Sequence, residues 1–322
     1  MKRIGVLTSG GDAPGMNACI RAVVRVGLSY GVEVMGIRHG LLGLMNGEMD
    51  PMDRGSVSNI IHLGGTMLHT GRCPEFRTKE GRGQALKVLE QTSLDGLILI
   101  GGEGTFRGGS ALMDEGYPHI LGVPATIDND VFGTDYSIGF DTAVNTALEA
   151  IDRIRDTALS LERIFFVEVM GRKSGFIALE SGVAGGADEL VVPEVPESVD
   201  EICDRLEASF KRVKRNAIVV ISEGNRPGEA FRIAREVKER SGIDSRVVIL
   251  GHVQRGGSPT ARDRVLASRL GAGAVEALVH GREGEVVGEV RGDVELTPLR
   301  EAWSRKKELN IALADLLETL SR

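Results

Sequence analysis

The chain has 322 residues, 42% hydrophobic and 4% aromatic, with a formal net charge of −7 and a mean hydropathy near zero. That length supplies material for two hydrophobic cores, since domains run about 100–200 residues. The acidic balance argues against a general nucleic-acid binder, the few aromatics leave little for base stacking, and no apolar run approaches the roughly 20 residues of a membrane span.

From the amino terminus, short apolar runs flanked by glycine recur at 4–7, 32–37, 97–100, 120–123, 164–169, 217–221 and 247–250. Such runs read as buried parallel strands. Between them lie helical patterns, clearest in Ala143, Val144, Ala147, Leu148, Ile151 and Ile154, whose spacing of three and four predicts a helix with one apolar face. The class is therefore α/β. The 43 glycines cluster at the carboxyl ends of several runs, where open α/β sheets bind ligands. No linker rich in Pro, Ser or Gly marks a boundary, so it is placed from periodicity near residue 138, with 251–300 crossing back to the first half. The densest basic patch, 211–215, is short and isolated. Cys19, Cys73 and Cys203 show no CxxC spacing, and a strand-like run follows Met1 with no apolar leader. We expect a reduced, cytoplasmic protein.

Five segments carry chemistry. Residues 8–17, TSGGDAPGMN, join the first strand to a helical pattern, so backbone amides and a helix N-terminus could cradle phosphate; a plain strand-to-helix turn reads equally well. In 101–106, GGEGTF, Glu103 among glycines suits magnesium bound to phosphate, or is a solvated acid in a turn. In 124–130, PATIDND, an extended segment would project Asp128 and Asp130 to one side, one toward a cation and one toward a hydroxyl; turn composition is the other reading. Finally, 168–172 (EVMGR) and 251–260, with His252 and Arg255, put cations at strand ends, where the planar arginine fork suits phosphate; taken singly, each arginine also reads as an exposed salt-bridge residue and His252 as a structural histidine.

Taken together and in order, TSGGDAPGMN, GGEGT, TIDND, GTDYSIGFDTA, EVMGR and GHVQRGGSP resemble the bacterial ATP-dependent 6-phosphofructokinases over most of the chain. The resemblance implies two Rossmann-like three-layer domains with mostly parallel sheets and an active site in the cleft between them. Residues 1–138 with 251–300 would bind nucleotide, and 139–250 with 301–322 the sugar phosphate. It implies a glycolytic transferase, a kinase moving the γ-phosphoryl of MgATP to the 1-hydroxyl of fructose 6-phosphate. Asp128 would be the base, supported by Thr126 and Asp130, with Arg72 and Arg172 stabilising the transition state. The nucleotide would meet Gly11, Arg72, Cys73, Gly102, Glu103, Gly104, Thr105 and Gly108, and Glu103 would be the magnesium ligand. The sugar phosphate would meet Thr126, Asp128, Asp130, Met170, Gly171, Arg172, Glu223, His252 and Arg255, with Arg163 and Arg246 reaching across from a neighbouring subunit of a homotetramer. An allosteric site for ADP or phosphoenolpyruvate is implied at Arg21, Arg25, Arg54, Arg155, Asp188, Arg212 and Lys214.

The chain departs from the family pattern in places. Asp188, Asn59 and Asn216 stand where glutamate, aspartate and histidine are usual, which weakens the expectation of an effector response. On the nucleotide side Glu103 replaces an aspartate, Ala125 a glycine, and Leu41 an aromatic expected against adenine. Had that glycine used a positive φ, Ala125 would cost about 1 kcal/mol or more. These three changes keep open an alternative: a catalytically weak or inactive regulatory paralogue that binds fructose 6-phosphate. Pyrophosphate-using relatives carry an acid at Gly104 and a lysine at Ala125, and the absence of both argues for ATP as donor.

Overall fold

The computed structural model describes residues 1–195, 198–212, 216–224, 227–242 and 244–321, and of 208–212 the backbone alone. In chain order the elements are β1 (Arg3–Thr8), α1 (Met16–Ser29), β2 (Glu33–Ile37), α2 (Gly40–Asn46), β3 (Met49–Met52), α3 (Lys79–Gln91), β4 (Gly96–Gly101), α4 (Glu103–Asp114), β5 (Ile120–Pro124), α5 (Phe140–Leu161) and β6 (Ile164–Val169). They continue with α6 (Phe176–Ala184), β7 (Glu189–Val191), α7 (Val199–Arg212), β8 (Ala217–Ser222), α8 (Glu229–Ser241), β9 (Ser245–Ile249), α9 (Ala261–Val279), β10 (Glu285–Val290), β11 (Asp293–Pro298), α10 (Leu299–Ser304) and α11 (Ile311–Ser321).

The chain forms two compact units. The first comprises Met1–Thr142 with Arg255–Lys307, the second Ala143–Gln254 with Glu308–Arg322. The crossings thus fall a few residues beyond the expected 138, 250 and 300. The Asp263 carboxylate accepts the amides of Gly139 (2.9 Å) and Thr142 (2.8 Å) and the Thr142 hydroxyl (2.5 Å), which keeps 139–142 with the first unit. Trp303 Nε1 donates to Ser110 Oγ on α4 at 2.8 Å and keeps α10 there too.

The first unit holds a seven-stranded sheet in the order β11-β10-β5-β4-β1-β2-β3, parallel except for its two edge strands. Side chains alternate across it. Leu7, Ile37, Leu97 and Leu99 point into a core shared with Leu41, Leu89, Phe106 and Leu299 from α2, α3, α4 and α10. Ile4 faces the opposite side, where α1 and α9 pack together. The second unit holds a four-stranded parallel sheet in the order β7-β8-β6-β9. Phe166, Val219 and Ile221 meet Ile202, Leu206, Ile233 and Val237 of α7 and α8 on one face, and α6 lies against β8 with α11 beside it. Both are three-layer Rossmann-like arrangements with mostly parallel sheets, as the family resemblance implies, and the parallel strands are those the apolar runs predict.

Four strands escaped that reading: three are edge strands that are short or carry polar and proline residues, and the fourth, β10, lies between β5 and β11 with only Val286 and Val287 as a continuous apolar pair. β3 is Met-Asp-Pro-Met, β7 has three residues, and β10 and β11 form a hairpin turning at Gly292, with β11 reading Asp-Val-Glu-Leu-Thr-Pro. No helix among the described residues is long and apolar enough to cross a membrane.

Candidate active site

In the first unit the strand order reverses between β1 and β4, and ligands of open α/β sheets bind outside the carboxyl ends at such a switch point. Two glycine-rich loops leave there, and each opens a helix: Gly15 is the N-cap of α1 and Gly102 that of α4. The loops are stitched together, with Thr105 Oγ1 donating to the Ser9 carbonyl at 3.0 Å and the Ser9 amide to the Ile100 carbonyl at 3.0 Å. First-turn amides and aligned peptide dipoles at two helix N-termini make the edge receptive to anions. Arg255 adds a cation: its Nη1 donates to the Asp12 carbonyl at 3.1 Å, and a Cβ at Gly11 would collide with its guanidinium. A side chain at position 11 would therefore displace the Arg255 guanidinium. Glu103 and Gly104 are exposed in the first turn of α4, where the helix N-terminus favours a carboxylate.

The acidic segment is not extended. β5 ends at Pro124, Ile127 and Asp128 form a turn, and Asn129 takes a left-handed φ of 52°. Turn chemistry overrides the extended reading because Asn129 locks the loop: its Nδ2 donates to the Asp135 carbonyl at 3.1 Å, and its Oδ1 accepts the Ser137 amide at 2.8 Å. The Asp128 amide donates to Thr126 Oγ1 at 3.2 Å. Asp128 is buried (8% exposed) and Asp130 half-buried. Burial, then the Asp128 charge, with a smaller contribution from Glu103, pushes the Asp130 carboxyl up to about 6. Three acids thus share one field. Among the described residues no three acid, histidine or cysteine side chains form a closed metal cage. The arrangement still suits Mg²⁺, which takes one or two protein carboxylates and completes its shell with water and phosphate oxygens.

Two departures prove to be well accommodated. Ala125 is absent from the positive-φ residues, so the feared backbone cost does not arise. It is buried, its amide donates to the Gly101 carbonyl at 2.9 Å, and it bridges to Ile138. Leu41 is a core residue at 6% exposure, and Gly108 and Phe76 lie close enough to confine it. Cys73 packs beside that core, where burial raises its thiol pKa. Arg72, one residue earlier, is exposed.

In the second unit the carboxyl edge gathers three loops. Met170, Gly171 and Arg172 follow β6, Glu223 follows β8, and His252 lies just beyond β9. The sheet aligns them: the Glu223 amide donates to Val169 O at 2.9 Å and the Leu250 amide to Glu168 O at 3.0 Å. Glu168 is buried and caps α8, accepting the amides of Gly228 and Ala230, both at 2.8 Å. Gly171 sits at φ 147° with the Ser174 carbonyl against its Cα, and Arg172 and His252 are exposed. Arg163 and Arg246 stand apart. They sit at the amino end of the sheet, Arg246 paired with Phe165, so the length of β6, roughly 20 Å, separates them from Met170.

Of the effector set, Arg21 and Arg25 lie one turn apart on α1, and Arg54 is exposed after β3. Arg155 Nη2 donates to the Gly185 and Gly186 carbonyls, and the Asp188 carboxylate accepts the Ile218 amide at 2.8 Å. Lys214 and the Arg212 side chain lie outside the described residues. Three supporting residues escaped the sequence reading: Asn129, Asp263 and Gln254. The spacing Thr260-x-x-Asp263 signals a helix start, and Thr260 does accept the Asp263 amide at 3.2 Å, but nothing in the pattern shows that the carboxylate reaches back to Gly139 and Thr142.

Glycine-rich loops opening two helices at a switch point, with a buried Asp128 and a half-buried Asp130 after β5, fit a phosphotransferase of the α/β class. Within that class the chain belongs to the phosphofructokinase family, whose pattern it matches over residues 3–278. It is 58% identical over 321 residues to "ATP-dependent 6-phosphofructokinase 1" of Thermus thermophilus, and 50% identical over 323 residues to the ATP-dependent 6-phosphofructokinase of Natranaerobius thermophilus, the whole of each chain being covered. Among solved structures, phosphofructokinase from Saccharomyces cerevisiae superposes with a TM-score of 0.86 at 35% identity; all of this chain is matched, and it spans 47% of that longer one.

Proposed function

We propose that this chain is an ATP-dependent 6-phosphofructokinase of glycolysis, the first unit taking the nucleotide and the second the sugar phosphate. The observation that carries the reading is the turn after β5, in which a buried Asp128 and a half-buried Asp130 share one electrostatic field with Glu103 in the first turn of α4. Asp128 accepts the proton of the sugar 1-hydroxyl as that oxygen bonds to the γ-phosphorus and the bond to the β-phosphate oxygen of ATP breaks. Thr126 fixes the turn through the Asp128 amide. Amides of the 10–15 and 102–105 loops orient the phosphates, and Arg72 and Arg172 neutralise charge on the moving phosphoryl group. Mg²⁺, when bound by Glu103, supplies Lewis-acid neutralisation of the phosphate oxygens. Met170, Gly171, Arg172, Glu223, His252 and Arg255 hold fructose 6-phosphate.

The separation of Arg163 and Arg246 from those loops supports a site completed by a neighbouring subunit, and hence a homotetramer. Arg21, Arg25, Arg54, Arg155 and Asp188 form our proposed effector set for ADP or phosphoenolpyruvate, in a cytoplasmic enzyme. A coupled assay for fructose 1,6-bisphosphate with ATP, Mg²⁺ and fructose 6-phosphate tests the reading. Turnover on the order of 1–100 per second is expected, and its absence would overturn the assignment.

A further inference from the structure

Gln254 is fully buried, and both ends of its amide are engaged: Oε1 accepts the Met170 amide at 2.9 Å, and Nε2 donates to the Ala143 carbonyl at 3.4 Å. The three residues are remote in sequence and each has a distinct place. Met170 opens the turn after β6, in which Arg172, a non-glycine residue, holds a left-handed φ of 52°. Ala143 and Gln254 are the residues at which the chain enters and leaves the main segment of the second unit. Burying a primary amide is unfavourable unless its donor and acceptor are both satisfied, so an apolar side chain of the same volume would serve packing alone. What Gln254 adds is direction: it fixes the Met170 N–H, and with it the peptide plane that starts the turn. A left-handed arginine persists only where its surroundings over-determine it.

We propose that Gln254 is a positioning residue for phosphoryl transfer. It holds the Met170–Arg172 turn in the conformation that receives the sugar phosphate and ties that turn to the chain's entry into, and exit from, the unit. The inference rests on the phosphofructokinase reading above.

The test compares Gln254→Met and Gln254→Glu with the wild-type enzyme. Methionine keeps length and volume but makes neither hydrogen bond, so KM for fructose 6-phosphate should rise about tenfold and kcat fall, while KM for ATP stays unchanged. Glutamate separates this role from packing. Its carboxylate directs an oxygen at the Ala143 carbonyl, whereas its protonated form restores one acceptor and one donor. The fructose 6-phosphate KM of Gln254→Glu should therefore fall toward wild type as pH is lowered from 8 to 6, while that of Gln254→Met, taken relative to wild type at each pH, stays raised. If Gln254→Glu fails to fold, the Met variant decides alone. Unchanged fructose 6-phosphate KM, or an equal rise for both substrates, overturns the proposal. A wild-type enzyme without turnover overturns the phosphofructokinase reading instead; calorimetric binding of fructose 6-phosphate then still reads the tie.

Discussion

Asp130→Asn isolates the field that the acid pair builds. In the unfolded chain the Asp130 carboxyl titrates near 3.8, and in the folded chain burial and the Asp128 charge raise it to about 6. Between those values the folded state holds a proton that unfolding releases, so stability falls as pH rises through that window, and the loss is complete above about pH 6. At 1.36 kcal/mol per pH unit the displacement amounts to about 3 kcal/mol, an upper figure because Asp130 is only half-buried. An amide of the same size removes the charge. We expect Asp130→Asn to unfold at higher urea than wild type at pH 8, by up to about 3 kcal/mol, with the gap closing by pH 4 and with turnover lost. Urea unfolding at pH 8, 6 and 4, read with equal m-values, measures this. A variant no more stable at pH 8 than at pH 4, relative to wild type, would refute the claim that Asp128 and burial hold Asp130 in an unfavourable ionised state.

Three further outcomes follow from the same loops. Asp128→Asn should lower kcat by roughly 10² to 10⁴ while leaving fructose 6-phosphate binding by calorimetry nearly intact, and a loss under tenfold would remove Asp128 from the role of base. Ala125→Gly should bring no gain in kcat or in KM for ATP and should cost about 1 kcal/mol of stability, because it adds backbone freedom at a buried residue already in relaxed geometry; improved ATP kinetics would show that the methyl group obstructs the nucleotide. Asn129→Ala removes two side-chain hydrogen bonds and leaves a left-handed non-glycine unsupported, so about 2–4 kcal/mol should be lost together with turnover, and thermal unfolding near wild type would show that the loop does not depend on Asn129.

The continuous apolar runs at 4–7, 97–100 and 164–169 announced buried parallel strands because both faces of each are covered, and their glycine-rich exits marked the carboxyl edges where the loops now stand. Of the edge strands, β9 was announced by its run at 247–250, whereas β3, β7 and β11 were silent because short or polar sequences carry no continuous apolar signal. The acid pair was legible as residue types, Asp128 and Asp130 after an apolar run, with proton chemistry and a plain turn as its two readings. Their geometry was not, because an Asn side chain reaching to residues 135 and 137 turns the segment, and sequence spacing cannot register a bond closed across a loop.

By itself, then, the order of residues determined the class of fold, the positions of the glycine-rich loops and the family. Local propensity and pattern are enough for that, because each strand exit and each glycine acts within a few residues of itself. Only the tertiary structure decided that Arg255 presses on Gly11, that Asp263 draws 139–142 into the first unit, that Leu41 turns into the core and that Gln254 holds Met170. Those are long-range contacts, some of them to buried polar groups that must find partners wherever the fold brings them, and no local pattern encodes which partner that will be.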